Sequence, residues 1–272
     1  MKTKAEIIAE LHVSPTIDIQ AEIQKRVNFL VEYSVKTNTN GFVLGISGGA
    51  DSTLAGKLAQ LAVDQMNQRG YNKKFIAVRL PYGGQMDEED AQKALVFIEP
   101  TENVTFNIAA GVDALTETYE QSVGNSISDF HKGNIKARVR MIAQYAIAGE
   151  KNMLVIGSDH AAEAVTGFYT KFGDGGADIL PLSGLVKSQV RMILQALGAE
   201  KILFEKPATA DLLDDKQQQL DEVELGISYD VLDKFLTNQQ ISETTEHQIR
   251  DRYTITTHKR EMPVTIFDTW WK

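Results

Sequence analysis

The chain has 272 residues, 43% hydrophobic and 24% charged, which is the balance of a folded domain with a full apolar core. It contains no cysteine, so disulfides, thiolate metal sites and a cysteine nucleophile are excluded together. A net charge of −9 opposes general binding to phosphate backbones, so no nucleic-acid partner is expected.

The N-terminus, MKTKAEIIAELHV, carries acids and lacks a continuous apolar stretch, so no signal peptide is expected. No run approaches the ~18 apolar residues of a membrane span. The expectation is a cytoplasmic protein without a membrane partner, which the absence of cysteine suits. Ile23, Val27, Leu30, Val31 and Val35 recur at helical spacing and predict a helix over 19–37. Phe42 to Ile46 is too short and too apolar for a helix and reads as a buried parallel strand. A glycine turn and a helix over 52–69 follow. The alternation then repeats: strand Phe75–Leu80, helix Asp87–Ile98, strand Val104–Ile108, helices near 111–122 and 131–149, and strand Met153–Ile156. A helix begins near Asp159.

Such alternation predicts an α/β fold, an open parallel sheet with helices on both faces. Ligands of these sheets sit at the carboxyl ends of the strands. The unusual segments lie at those ends: Ser47–Ser52, Arg79–Gly84 and Gly157–Glu163.

The last third reads differently. Phe168–Ser183 is a glycine-rich loop, and 187–198 is a helix. Residues 205–226 hold seven acids and two lysines and read as a mobile surface segment. Two further helices near 228–237 and 242–252 make a C-terminal helical segment. The tail from Met262 to Trp271 is aromatic, which predicts docking, with Trp270 and Trp271 in packing. No boundary divides the chain, so 1–272 is expected to be a single domain.

Ser47-Gly48-Gly49-Ala50-Asp51-Ser52 leaves a strand and opens a helix. Glycines there let backbone N–H groups approach an anion, and the helix N-terminus adds partial positive charge. Ser47 and Ser52 add hydroxyl donors, while Asp51 suits a Mg²⁺ ion held against a phosphate. The loop is neither G-x-x-x-x-G-K-[ST] nor G-x-G-x-x-G. The plain alternative is a strand–helix turn capped by Asp51 or Ser52.

S-G-G-x-D-S resembles the pyrophosphate loop of the ATP pyrophosphatases, enzymes that cleave ATP between the α- and β-phosphates and pass AMP to an acceptor. Further segments resemble one member family, the NAD synthetases: Lys132–Met141, Gly157–Ala164, Thr170–Asp178, Pro207–Leu212, Leu225–Asp230 and His258–Arg260. They keep order and spacing from about residue 11 to the end. The resemblance implies a Rossmann-like, adenine nucleotide alpha hydrolase-like fold. It also implies a ligase that adenylates the nicotinate carboxylate of deamido-NAD⁺ and amidates it with ammonia, the last step of NAD biosynthesis.

The resemblance also implies roles. Gly45, Ile46, Ser47, Gly48, Gly49, Ala50, Asp51 and Ser52 match the ATP loop, with Ser158, Lys187 and Thr209 as further ATP contacts. Asp51 and Glu163 match the Mg²⁺ carboxylates. Arg138, Lys171, Asp178, His258 and Lys259 match deamido-NAD⁺ contacts. Asp51, Lys187 and Asp174 are the expected catalytic residues, Asp174 through a second Mg²⁺ or the placing of ammonia.

Other readings stand beside these. His160 and Glu163 share a helix face, as a surface pair or an H-x-x-E metal site would; hard oxygen ligands favour Mg²⁺, and His160 is expected to be structural or supporting. Lys136, Arg138 and Arg140 alternate, so they cannot all reach one site from a helix. Residues 205–226 read either as solvated loop or, through Thr209, as a lid over ATP. Another ATP pyrophosphatase, such as a GMP synthetase core or a tRNA-modifying enzyme, is the alternative enzyme, and a nucleotide sensor the alternative class. Length and the missing cysteine leave no fused glutaminase, so free ammonia or a separate donor is expected. The resemblance implies a homodimer, for which helices 21–37 and 131–149 and the aromatic tail offer apolar surface.

Overall fold

The computed structural model describes residues 1–84, 88–209, 212–215 and 219–272. Asp87, the expected start of one helix, and Asp211, within the acidic segment, lie outside the described residues. Four parallel strands, β1 (Gly41–Gly45), β2 (Lys74–Arg79), β3 (Glu102–Thr105) and β4 (Leu154–Val155), form one sheet in the order β3-β2-β1-β4. The chain runs outward from β1 through β2 to β3 and then returns to the other side of β1. That reversal opens a crevice between the carboxyl ends of β1 and β4, where a ligand can enter.

Period-two alternation sends β residues to two faces. Phe42, Leu44, Phe75, Ala77 and Leu154 pack under the helices α2 (Ile19–Lys36), α3 (Ala50–Gln68), α4 (Glu88–Ile98), α8 (Lys187–Ala196) and α9 (Lys201–Glu205). Val43, Ile76, Val78 and Val155 face α5 (Ala109–Val123) and α6 (Asp129–Lys151). Fully buried side chains such as Phe42 and Phe75 each contribute roughly 1.5–3 kcal/mol by leaving water. A separate apolar cluster joins α1 (Lys4–Glu10), α7 (Ala161–Thr166), α11 (Tyr229–Leu236) and α12 (Glu243–Ile255). Two short helices, α10 (Asp221–Leu225) and α13 (Thr257–Arg260), complete the chain.

Several expectations shift. The third strand lies at Glu102–Thr105 rather than Val104–Ile108, because its register on β2 ends at Arg79 opposite Thr105. Phe106 and Ile108 then bond to the carbonyls of Arg79 and Pro81 in the turn, and Ile108 caps α5. Strand β4 is two residues long, and Ile156 bridges Ile179 instead of extending it. The helix expected near Asp159 starts at Ala161. Helices α1, α9, α10 and α13 lie outside the helices the sequence predicts; α1 rests on a capping box between Thr3 and Glu6.

The acidic segment is not all solvated loop. Asp221 opens α10, is buried, and accepts a hydrogen bond from the Tyr229 hydroxyl at 3.1 Å. The aromatic tail is not docked within the chain: Ile266 and Phe267 are 87% and 85% exposed, and Trp270 and Trp271 are also exposed. Its residues make local turns and join none of the three apolar clusters, so the two tryptophans do not pack into the core of the single chain.

Candidate active site

The crevice between β1 and β4 holds a cleft of about 300 Å³. The turn after β1 forms one wall. Gly48 has φ +87°, and a Cβ there would meet the backbone N of Ala91 at 2.7 Å, so only glycine lets the turn pass under α4. Gly49 is the N-cap of α3 and has no side chain to cap it. The first-turn N–H groups of α3 therefore face the cleft without intrahelical acceptors, as at any helix start. Asp51 and Ser52 sit inside the first turn, which sets aside the reading of this loop as an ordinary side-chain cap. Ser47 Oγ accepts the Gly49 N–H at 3.2 Å and lies 3.0 Å from Ser52 Oγ, so the loop is preshaped. Gln144 on α6 steadies the strand end, its Oε1 accepting the Gly45 N–H at 2.7 Å.

Gly157, Ser158 and Glu163 form the opposite wall, with Lys187 from α8 reaching in. The Lys187 ammonium donates to Asp51 Oδ2 at 2.6 Å and stands over the Tyr229 ring at 4.8 Å. His160 Nε2 lies 3.4 Å from Asp51 Oδ1 and 3.7 Å from Glu163 Oε2. Four ionisable groups thus meet in one corner of the cleft. Burial alone would raise the Asp51 carboxyl, but Lys187 and His160 outweigh it and hold Asp51 below the usual carboxylate range. Burial pushes Glu163 up to about 8, with Asp51 and Asp159 adding repulsion. Asp159 is also pushed up to about 8, by burial and then by Asp174 and Asp51.

These residues fit a divalent cation. Asp51, His160 and Glu163 each offer a ligand atom within 4.8 Å of the others. Asp51 Oδ1 and both His160 ring nitrogens are buried without a hydrogen-bond partner. Carboxylate oxygens suit Mg²⁺, which would also relieve the repulsion among Asp51, Asp159 and Glu163.

Of the sequence-predicted residues, Gly45, Ile46, Ser47, Gly49, Ala50, Asp51, Ser52, Ser158, Glu163, Asp174, Lys187 and Thr209 all line this cleft. Gly48 lies behind the loop against α4. Asp174 accepts the Thr170 N–H at 2.8 Å and remains exposed at the cleft, and partial loss of hydration there raises its carboxyl. Asp174 and Lys259 also line a smaller cavity of about 140 Å³ beside the cleft. Lys259 there donates to the carbonyls of Gly167 and Tyr169, each at 2.7 Å.

Arg138, Lys171 and His258 form a separate surface group. Arg138 donates to the Lys171 carbonyl at 3.3 Å, and the Lys171 ammonium donates to the His258 carbonyl. Asp178 stands apart from the cleft, accepting from the Val155 N–H at 2.8 Å and the Tyr145 hydroxyl at 3.2 Å. Of the three alternating cations on α6, Arg140 lines the cleft, Lys136 is buried against Leu212, and Arg138 is exposed.

Sequence reasoning passed over Asp159, Gln144 and Asp221, and among the three cations of α6 it favoured Arg138 over Arg140. Asp159 lies between Ser158 and His160 at a strand end, which was signal enough. Nothing separated Asp221 from the acids around it, because burial of one member of a charge run depends on tertiary contacts.

The sequence model of the NAD synthase family matches residues 22–263. A protein of Bacillus thuringiensis subsp. konkukian, described as an NH₃-dependent NAD⁺ synthetase, is 57% identical over 272 residues, covering all of both chains. The crystal structure of NAD⁺ synthetase from Burkholderia pseudomallei is 44% identical, with TM-score 0.83 over 96% of each chain. The structure of NMN synthetase from Francisella tularensis is 33% identical, with TM-score 0.80 over 93% of this chain and 100% of that one. A glycine loop and a carboxylate cluster at the switch point of a parallel sheet, with full-length likeness of this degree, lead to one conclusion: the chain belongs to the NAD synthase family.

Proposed function

We infer that this chain is an ammonia-dependent NAD synthetase, joining ammonia to deamido-NAD⁺ at the expense of ATP and releasing AMP and pyrophosphate. The observation that carries the reading is the meeting of the β1 glycine loop with Asp51, Glu163 and Lys187 in one cleft. The reaction brings a carboxylate to a triphosphate, and their repulsion is on the order of a few kcal/mol at contact unless cations offset it. Backbone N–H groups of the loop and of the α3 start would receive the phosphates. Lys187 would leave Asp51 for the triphosphate and stabilise charge as pyrophosphate departs. Asp51 and Glu163 would hold Mg²⁺, which when bound supplies positive charge for the same purpose. Ser158 and Thr209 would complete the ATP site, and Asp174, which lines the same cleft, would help to position ammonia or hold a second Mg²⁺.

Arg138, Lys171 and Lys259 would supply positive charge for deamido-NAD⁺, with His258 and Asp178 as polar contacts. A homodimer is supported by apolar side chains left open on α2 and α6: Phe29, Tyr33, Phe130 and Ile142. Among the described residues no helix is long and apolar enough to cross a membrane.

The test is an NAD⁺-forming assay with ATP, Mg²⁺ and deamido-NAD⁺, supplying either ammonium or glutamine. The expected result is NAD⁺ with ammonium alone. A parallel arm with nicotinate mononucleotide tests the substrate chemistry of the Francisella relative. Faster amidation of the mononucleotide would overturn the dinucleotide reading.

A further inference from the structure

Leu212 lines both the main cleft and the smaller cavity beside it, so its short segment is a shared wall. The first turns of α6 grip that segment with polar ties. The Lys136 ammonium is 3% exposed at the residue level and donates to the Leu212 carbonyl at 2.9 Å and to Asp214 Oδ1. Lys132 donates to Asp214 Oδ2 at 2.8 Å. Asp129 accepts the N–H groups of Asp214 and Asp215 at 2.8 and 3.1 Å. Both lysines lie over the Tyr82 ring, at 5.2 and 4.3 Å, which fixes them from behind. Gly133 completes the fit, since a Cβ there would meet the Leu212 carbonyl and Cβ at 3.2 Å. None of these residues lies among the predicted site residues, and buried cations are rarely spent on an ordinary surface loop.

We propose that Asp129, Lys132, Lys136 and Asp214 form a clasp that holds the Leu212 wall in place and so shields the acyl adenylate from water. This rests on the NAD synthetase reading. In that reaction the ammonia nitrogen bonds to the nicotinate carbonyl carbon, the carbon–oxygen bond to AMP breaks, AMP leaves and a proton passes to solvent. If water attacks instead, deamido-NAD⁺ is regenerated and ATP is consumed to AMP and pyrophosphate. The clasp residues are positioning residues, and their signature is the partition between these outcomes.

The experiment measures AMP and NAD⁺ together for the full-length enzyme supplied with ATP, Mg²⁺, deamido-NAD⁺ and ammonium. The wild type is expected to form them in equal amounts. Asp214→Asn keeps shape but removes the charge, and should raise the AMP to NAD⁺ ratio several-fold, most at low ammonium. Lys132→Met should do the same while leaving the buried Lys136 paired. Asp214→Glu restores the carboxylate and should return the ratio toward the wild-type value. Equal AMP and NAD⁺ in both Asp214→Asn and Lys132→Met at every ammonium concentration would overturn the clasp. Failure of the wild type to form AMP from deamido-NAD⁺ would instead overturn the functional reading.

Discussion

Asp51 is the side chain on which most of the site converges, touching Lys187 directly and facing His160. Asp51→Asn keeps the shape and removes the charge that would hold a cation. Turnover is expected to fall by about 10²–10³-fold, with the circular dichroism of the folded protein retained. Turnover near wild type would remove Asp51 from the metal site. The neighbouring acids give a pH signature. Asp159 and Glu163 are held up to about 8, above the 3.8 and 4.5 of the free groups. A carboxyl raised by folding stabilises the fold fully below its unfolded value and loses that contribution as pH climbs through the folded value. His160, raised by Glu163 and Asp51 against the opposing effect of burial, acts in the same direction. The melting temperature without nucleotide or metal should therefore fall between about pH 5 and 8, and ATP with Mg²⁺ should flatten the fall. A melting temperature independent of pH in the free protein would contradict this account.

At the scale of elements, the glycine loop is decided by the approach of α4. Gly48→Ala forces a side chain into φ +87° and into the Ala91 backbone. We expect a loss of about 1–3 kcal/mol in stability and a weaker thermal shift on adding ATP. An unchanged melting curve and ATP shift would show that the loop can move away. The clasp on α6 has its own pH behaviour. Burial tends to raise the Asp214 carboxyl, but its bonds to Lys132 and Lys136 prevail and lower it from 3.8. Its contribution is present above that value and lost only as pH falls through the lower folded value. With the concentration of free NH₃ held constant, the AMP to NAD⁺ ratio should then be constant across about pH 6–9, and a rise inside that window would mean another group holds the wall.

At the scale of the molecule, the surface cations and the open apolar faces make two linked expectations. Arg138→Ala should raise the KM for deamido-NAD⁺ by about tenfold or more while leaving the KM for ATP little changed. A defect confined to ATP would remove Arg138 from the dinucleotide site. Light scattering should give twice the 30.1 kDa of one chain. A monomer would leave Phe29, Tyr33, Phe130 and Ile142 bare in solution and overturn the dimer.

The sequence by itself determined the alternation of strand and helix, because apolar runs and helical spacing are local patterns. It also picked out the glycine loop as an anion-binding turn, because S-G-G-x-D-S places glycines and hydroxyls in consecutive residues at a helix start, while the match to an ATP loop is what the resemblance implies. It could not determine where β3 ends, since the pairing of Thr105 with Arg79 belongs to β2 as much as to β3. It could not single out Asp221 from its acidic neighbours, nor show that Lys136 is buried against Leu212. It could not say which surface receives the aromatic tail, which is exposed in the single chain, because aromatic composition names no partner surface. Only the tertiary structure brought Asp51, His160, Glu163 and Lys187 to one corner, from positions up to 136 residues apart. Burial and charge pairing are sums over such distant contacts. A local reading therefore finds the groups that carry the chemistry, while the fold decides which of them meet and in what state of charge.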